Sequence, residues 1–121
     1  MNKSFQHADL MTVLEGISDA VVKIDGQGTY TAMNSAAAEV FRRLGHEPQH
    51  MLGKSLWDVF PDAKGTIIEQ RIREVLEQDA PMQYEFFYPQ DQRWYETRAY
   101  PSSPGAILIF RDITQQKTGQ S

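Results

Sequence analysis

The chain has 121 residues, with 12 lysine and arginine residues against 16 aspartate and glutamate residues, and it contains no cysteine. This length predicts one domain that buries a hydrophobic core without help from a disulfide or a metal. A net charge of −4 with no basic stripe argues against a nucleic-acid binder and against a polybasic membrane anchor. The absence of cysteine excludes thiolate metal sites, a cysteine nucleophile and photochemistry that needs a cysteine adduct.

The sequence predicts neither a signal peptide nor a membrane-spanning helix. Residues 1–7 lack the basic and then apolar sequence of a signal peptide. The apolar runs all fall short of the roughly 18 residues that a membrane-spanning helix needs. We therefore expect a cytoplasmic protein with no membrane or nucleic-acid partner.

The first 18 residues predict an amphipathic helix. Its apolar residues recur at positions i, i+3, i+4 and i+7, which places them on one helical face. These residues are Leu10, Val13, Leu14 and Ile17.

The next part of the chain predicts a β-hairpin followed by a helix. Two β-branched runs at 20–24 and 29–33 flank an Asp-Gly turn, which is a strong hairpin signal. Asn34 and Ser35 are good N-cap residues for a helix over 36–44. Residues 46–53 are expected to form a loop, and Ser55 to Phe60 a single helical turn that Pro61 ends.

The second half predicts one long helix and a three-stranded meander. Apolar residues with helical spacing indicate a helix over 66–78. Strands are then expected at 82–88, 93–100 and 106–110, joined by turns at 89–92 and 101–105. This order favours an α+β domain in which one five-stranded antiparallel sheet carries helices across one face. We expect the domain to span 19–114, with 115–121 as the start of a linker to an effector or as a frayed tail.

Four fragments, in this order and spacing, resemble the PAS domain, a small sensory and interaction module of bacterial signalling proteins. They are the run 17–25 leading into the glycine-containing turn, the run 33–37 that opens a helix, the Leu-Gly-Lys-Ser-Leu-Trp-Asp-Val-Phe-Pro run at 52–61, and the Arg-Trp-Tyr-Glu run at 93–96 leading to Phe-Arg-Asp-Ile-Thr at 110–114. The resemblance covers nearly the whole chain.

The resemblance implies a curved sheet whose concave face, together with the helices, encloses a small-molecule pocket. In such domains the last strand continues into a linker helix, so Asp112 and Thr114, at that exit, are the predicted relay residues. A simple helix cap at Asp112 or Thr114 is the open alternative. The N-terminal helix of such domains commonly pairs with its copy, so Leu10, Val13, Leu14 and Ile17 are the predicted homodimer interface. Packing of that same stripe on the sheet of its own subunit is the open alternative.

Strand parity and helix spacing give the candidate pocket. Because side chains alternate along a strand, Val22 and Ile24 point inward if Lys23 points outward, and Tyr95 and Thr97 point inward if Glu96 points outward. The full candidate set is Val22, Ile24, Asn34, Phe41, Leu44, Leu56, Trp57, Phe60, Ile68, Ile72, Tyr95 and Thr97. This composition is typical of a site for a small apolar ligand and equally of a filled core. Both interpretations stay open, with the filled core favoured.

No cofactor or metal is predicted. His46 and His50 are four residues apart but lie next to Gly45 and Pro48, which favours a solvated loop over a haem or metal ligand pair. A flavin held without a covalent bond, with contacts from Asn34, Trp57, Tyr84 and Thr97, is the other less favoured alternative.

The leading hypothesis is a sensory module that detects a small ligand or a redox cue. It would relay that cue through its C-terminal strand and dimer interface to an effector such as a histidine kinase or a cyclase, in a two-component system. The alternative is a protein–protein interaction and dimerisation domain without a ligand. We expect no catalytic residues, because Asp58, Asp62 and the other carboxylates have no base or orienting group at a suitable spacing.

Overall fold

The computed structural model describes residues 19–118, apart from the side chain of residue 118. The predicted N-terminal helix, with Leu10, Val13, Leu14 and Ile17, lies outside the described residues. Within them the chain forms one antiparallel sheet of five strands in the order β2-β1-β5-β4-β3. The strands are β1 (Ala20–Ile24), β2 (Tyr30–Met33), β3 (Met82–Tyr88), β4 (Arg93–Ser102) and β5 (Gly105–Asp112).

Between the first hairpin and the meander the chain forms helices, and the core residues of these helices lie against one face of the sheet. They are α1 (Ser35–Arg43), α2 (Pro48–Met51), α3 (Leu56–Val59), a 3-10 turn (Pro61–Ala63) and α4 (Ile67–Gln78). A short helix α5 (Thr114–Thr118) follows the last strand. The α+β class and the five-stranded sheet predicted from the sequence are confirmed.

Two predicted connections differ from the structure. Residues 48–51, expected to be a loop, form α2, because the fixed φ of Pro48 suits the first turn of a helix and its missing N–H is not needed there. The turn between β4 and β5 is shorter than expected, and both strands are longer. The chain reverses at a cis Ser103–Pro104 peptide bond. A Cβ atom on Gly105 would lie 1.9 Å from the carbonyl oxygen of Ile24, so only glycine fits there.

The two faces of the sheet follow the predicted alternation. Val22 pairs with Leu108 and Thr97 pairs with Phe110, and these residues contribute to the helix-covered side. Glu96, on the opposite face, is only 9% exposed, although we expected it to face solvent. Its carboxylate lies 3.2 Å from the guanidinium of Arg111 and accepts a hydrogen bond from Gln83, so side chains of the neighbouring strands cover it.

The outer edge of β2 is closed by the segment that leads into α3. The amide of Tyr30 donates to the carbonyl of Lys54, and the amides of Gly53 and Leu56 donate back to Tyr30 and Gly28. Ser55 then caps α3 by accepting a hydrogen bond from the amide of residue 57. These bonds fix where α3 meets the sheet and so fix one wall of the interior.

Asn34 joins the first hairpin to α1. Its side-chain oxygen accepts hydrogen bonds from the amides of Val21 and Ala37, at 3.0 and 2.9 Å, and its amide nitrogen donates to the carbonyl of Asp19. The side chain is 1% exposed, so water cannot replace these partners.

We expect Asn34→Ala to lower the free energy of unfolding by about 2–4 kcal/mol, because it removes a helix cap and leaves buried amides unpaired. Chemical denaturation followed by circular dichroism measures this. Glu39→Ala, at an exposed position of the same helix, is the control and should stay within about 0.5 kcal/mol. Equal stabilities of the two variants would show that the Asn34 bonds contribute nothing.

Candidate functional site: an internal cavity and a polar strand end

A cavity of about 110 Å³ lies between the inner face of the sheet and the helices. Strands β1 to β5 each contribute to its wall, and α1, α3, α4 and the 3-10 turn close the other side. Aromatic side chains pack around it: the ring of Phe41 lies 5.8–6.0 Å from the rings of Tyr30, Phe60 and Phe110. These tilted and edge-on ring contacts form part of the cavity wall.

Most of the predicted pocket residues line this cavity. They are Val22, Phe41, Leu44, Leu56, Phe60, Ile68, Ile72, Tyr95 and Thr97. Their role as ligand contacts stays a prediction, since the geometry shows only that they surround the same space.

Three of the predicted pocket residues lie elsewhere. Ile24 is fully buried in the core, where it pairs with Tyr30 and Ala106, but it does not line the cavity. The polar side-chain atoms of Asn34 bind the backbone groups described above instead of facing the cavity. Trp57 is half-buried against the core but does not line the cavity, and the guanidinium carbon of Arg73 lies 5.1 Å from the centre of its ring. The proposed flavin contacts therefore do not form one set.

The remaining lining residues did not figure among the predicted pocket residues. They are Tyr30, Val40, Ala63, Tyr84, Phe86, Tyr88, Leu108 and Phe110. A signal for part of this set was present, because the alternation in residues 82–88 placed three of the aromatic residues on one face of β3.

The cavity wall contains no charged side chain. At its edge, however, the Tyr95 hydroxyl donates to Asp91 and accepts from Arg43, at 2.5 and 3.0 Å. Burial and the hydrogen bond to Asp91 raise the pKa of Tyr95 to about 12, and burial raises the pKa of Tyr84 to about 12. At neutral pH the wall is therefore uncharged.

Asp112 and Thr114 connect the end of β5 to β4. Asp112 pairs with the guanidinium of Arg93 and accepts a hydrogen bond from the amide of Thr114 at 2.8 Å. The Thr114 hydroxyl accepts from the amide of Trp94, and the amide of Ile113 donates to the carbonyl of Trp94, both at 2.8 Å. We call these bonds the strand-end junction.

Helix α5 continues from the strand-end junction and touches the sheet again. The Lys117 ammonium lies 2.6 Å from a carboxylate oxygen of Glu85 and 4.9 Å from the centre of the Trp94 ring. The position of α5 thus depends on polar contacts with β3 and β4.

The histidines do not form a ligand pair. The ring of His46 packs on Phe60 with 4.7 Å between ring centres, and His50 is exposed on α2. Across residues 19–118 no group of three histidine, cysteine, aspartate or glutamate side chains could hold a metal ion. In the same range no helix is both long enough and apolar enough to cross a membrane.

Comparison with known proteins identifies the family. The family model described as the PAS fold matches residues 14–118, so this chain belongs to the PAS-fold family. Comparison with curated proteins gives no match.

Solved structures with the same fold share little sequence with this chain. The photoactive yellow protein domain of the sensor histidine kinase Ppr from Rhodospirillum centenum superposes with a TM-score of 0.65 at 16% identity, covering 83% of this chain and 89% of that one. The PAS domain of a protein from Colwellia psychrerythraea superposes with a TM-score of 0.64 at 22% identity, covering 86% of this chain and 93% of that one. The sensor region of a sensor histidine kinase superposes with a TM-score of 0.63 at 19% identity, covering 82% of this chain and 40% of that one.

We expect tyrosine ionisation to destabilise the fold at alkaline pH. The raised pKa values of Tyr84 and Tyr95 mean that their contribution to stability is complete below the unfolded value of about 10 and is lost as the pH rises towards about 12. Phenolate absorbance and near-ultraviolet circular dichroism, recorded together over a pH titration, measure this. Tyr95→Phe should remove part of the late absorbance, whereas full ionisation near pH 10 in a still-folded protein would contradict the assignment.

Acid should loosen the strand-end junction. Partial burial raises the pKa of Asp112, but the hydrogen bonds from Thr114 and Arg93 outweigh it, so the net pKa is lowered. The bonds of ionised Asp112 should therefore be intact above about pH 4 and be lost as the pH falls through the lower folded pKa. NMR titration of the Thr114 amide measures this, with Asp112→Asn as the variant. An identical acid shift in both proteins would refute the role of Asp112.

Proposed function

We propose that this PAS-fold domain is a sensory module that binds a small ligand in its cavity and relays occupancy through the strand-end junction to an effector. The observation that carries the proposal is the register of β4 and β5. Tyr95, in the cavity wall, pairs directly with Asp112, and Thr97, also in the wall, pairs with Phe110. The cavity and the junction are thus built on the same pair of strands.

A ligand can act on this arrangement only through a difference in its affinity for two states of the domain. A ligand that displaces Tyr95 or Phe110 changes the position of β4 relative to β5. Such a shift would strain or break hydrogen bonds of the junction, because the Trp94 backbone on β4 binds both Ile113 and Thr114. Helix α5 begins at Thr114, so its direction follows the junction.

The structural neighbours include a domain of a sensor histidine kinase, which supports signalling as the context. Three further points stay predictions: a histidine kinase or cyclase as effector, a homodimer formed by the N-terminal helix, and a cytoplasmic location. The absence of catalysis also stays a prediction. We propose a receptor because the described residues bring a cavity and a strand end together, a geometry suited to binding and relay.

The alternative, an interaction domain without a ligand, is supported by the small size of the cavity. Native mass spectrometry and an absorbance spectrum of the freshly purified protein distinguish the two. Added mass or a visible band would favour a ligand, and an unliganded colourless dimer would favour the interaction domain.

We expect a larger side chain in the cavity to disturb the junction as a ligand would. Ala63, on the 3-10 turn, is 7% exposed and lines the cavity, so Ala63→Leu adds apolar volume there. It should change hydrogen exchange of the Trp94 and Ile113 amides by roughly two- to thirtyfold, the usual range of coupling within a domain.

Ala38→Leu, on α1 and outside the cavity lining, is the matched control and should leave both amides unchanged. Thr97→Val, which replaces the hydroxyl in the wall with a methyl group of similar size, keeps the test usable if the leucine variant does not fold. Unchanged exchange in folded cavity variants would refute the relay.

A further inference from the structure

The polar atoms around the cavity are tyrosine and threonine hydroxyls, and most of the tyrosines lie together. Tyr30, Tyr84, Tyr88 and Tyr95 all contribute to the wall. Burial, and to a lesser extent the nearby Tyr84 and Tyr88, raises the pKa of Tyr30, so its hydroxyl stays protonated at neutral pH and can donate a hydrogen bond.

The Tyr95 hydroxyl is not free to bind a ligand. It already donates to Asp91 and accepts from Arg43. Arg43 and Asp91 lie outside the lining, with 3.9 Å between them, and Asp91 Oδ1 is buried with no hydrogen-bond partner among the described residues. The other carboxylate oxygen of Asp91 and the Arg43 guanidinium both bind the Tyr95 hydroxyl, so this hydroxyl is already used.

The Tyr30 hydroxyl is different. Among residues 19–118 it has no hydrogen-bond partner, although its backbone bonds to the segment at 53–54. The residue as a whole is 5% exposed, but its hydroxyl oxygen remains within reach of water. The hydroxyl therefore has a proton that no described protein group accepts, and an acceptor atom of a ligand can take the place of water there.

The size of the cavity limits what can supply this acceptor. An apolar protein cavity of about 150 Å³ binds benzene, and the volume here, about 110 Å³, is somewhat smaller. A single small ring with one polar atom is about the largest compound that fits without movement of the wall. A carboxylate or phosphate would enter a wall that has no cation to pair with it.

We propose that the cavity is selective for a small uncharged compound, of about one ring, whose carbonyl or hydroxyl oxygen accepts a hydrogen bond from Tyr30. This inference rests on the proposed function and names the chemical class of its ligand. Tyr30 is the specificity-determining residue, and the aromatic and aliphatic wall supplies the remaining contacts.

Cyclohexanone, toluene and benzoate are the probes that test this proposal. Cyclohexanone and toluene have the same number of non-hydrogen atoms, but only cyclohexanone has an acceptor oxygen, and benzoate adds a negative charge. Titrations of the full chain followed by NMR give the dissociation constants. We expect cyclohexanone to bind with shifts at the lining residues, toluene to bind more weakly, and benzoate not to bind at the cavity.

Tyr30→Phe removes only the hydroxyl and is the decisive variant. It should weaken cyclohexanone roughly three- to tenfold, the value of one neutral hydrogen bond, and leave toluene unchanged. Its melting temperature should stay about the same, because the hydroxyl has no hydrogen-bond partner among the described residues. Tyr100→Phe, at an exposed position of β4, is the control and should change neither affinity.

Equal affinity of cyclohexanone and toluene, or no effect of Tyr30→Phe on cyclohexanone, would overturn the role of Tyr30 and leave the relay intact. Binding of benzoate in the cavity would overturn the selectivity for uncharged compounds. Failure of both neutral probes to bind would overturn the proposed ligand class, whereas the exchange measurement on the cavity-filling variant tests the relay separately. A lower melting temperature of Tyr30→Phe would show that the hydroxyl serves the fold instead.

Discussion

The packing of Phe41 against three other rings holds the helical layer on the sheet. One side chain on α1 meets Tyr30 on β2, Phe110 on β5 and Phe60 beside the 3-10 turn, so it joins three parts of the chain that are distant in sequence. Loss of such a side chain typically costs about 3–5 kcal/mol. The same rings border the cavity, so the contact that assembles the core also determines the shape of the space within it.

The cavity and the strand-end junction depend on different kinds of interaction. The cavity is enclosed by non-directional contacts between apolar groups, which tolerate small movements of the wall. The junction consists of hydrogen bonds and an ion pair around Asp112, whose strength depends on distance and angle. Because Tyr95 and Asp112 pair across β4 and β5, these two kinds of interaction meet on one pair of strands.

Much of the fold could be predicted from local patterns, whereas the site could be predicted only in part. The alternation in β3 and the cap at Asn34 are local features, and both appear as expected. Trp57 is a predicted pocket residue that does not line the cavity. Its ring contacts Arg73, which is distant in sequence, so a local pattern could not predict this contact. Likewise nothing near Glu96 in sequence shows that Arg111 covers it.

The two ends of the sheet are held together by different kinds of contact. At the end with the first turn and the β4–β5 turn, backbone lies directly on backbone, since a side chain at Gly105 would collide with Ile24 and one at Gly26 with Pro104. At the opposite end, polar side chains such as Arg93 join the ends of the strands. The sheet is therefore held by backbone contacts at one end, where no rotamer change can loosen them, and by side chains that can change rotamer at the end where the last strand leaves it.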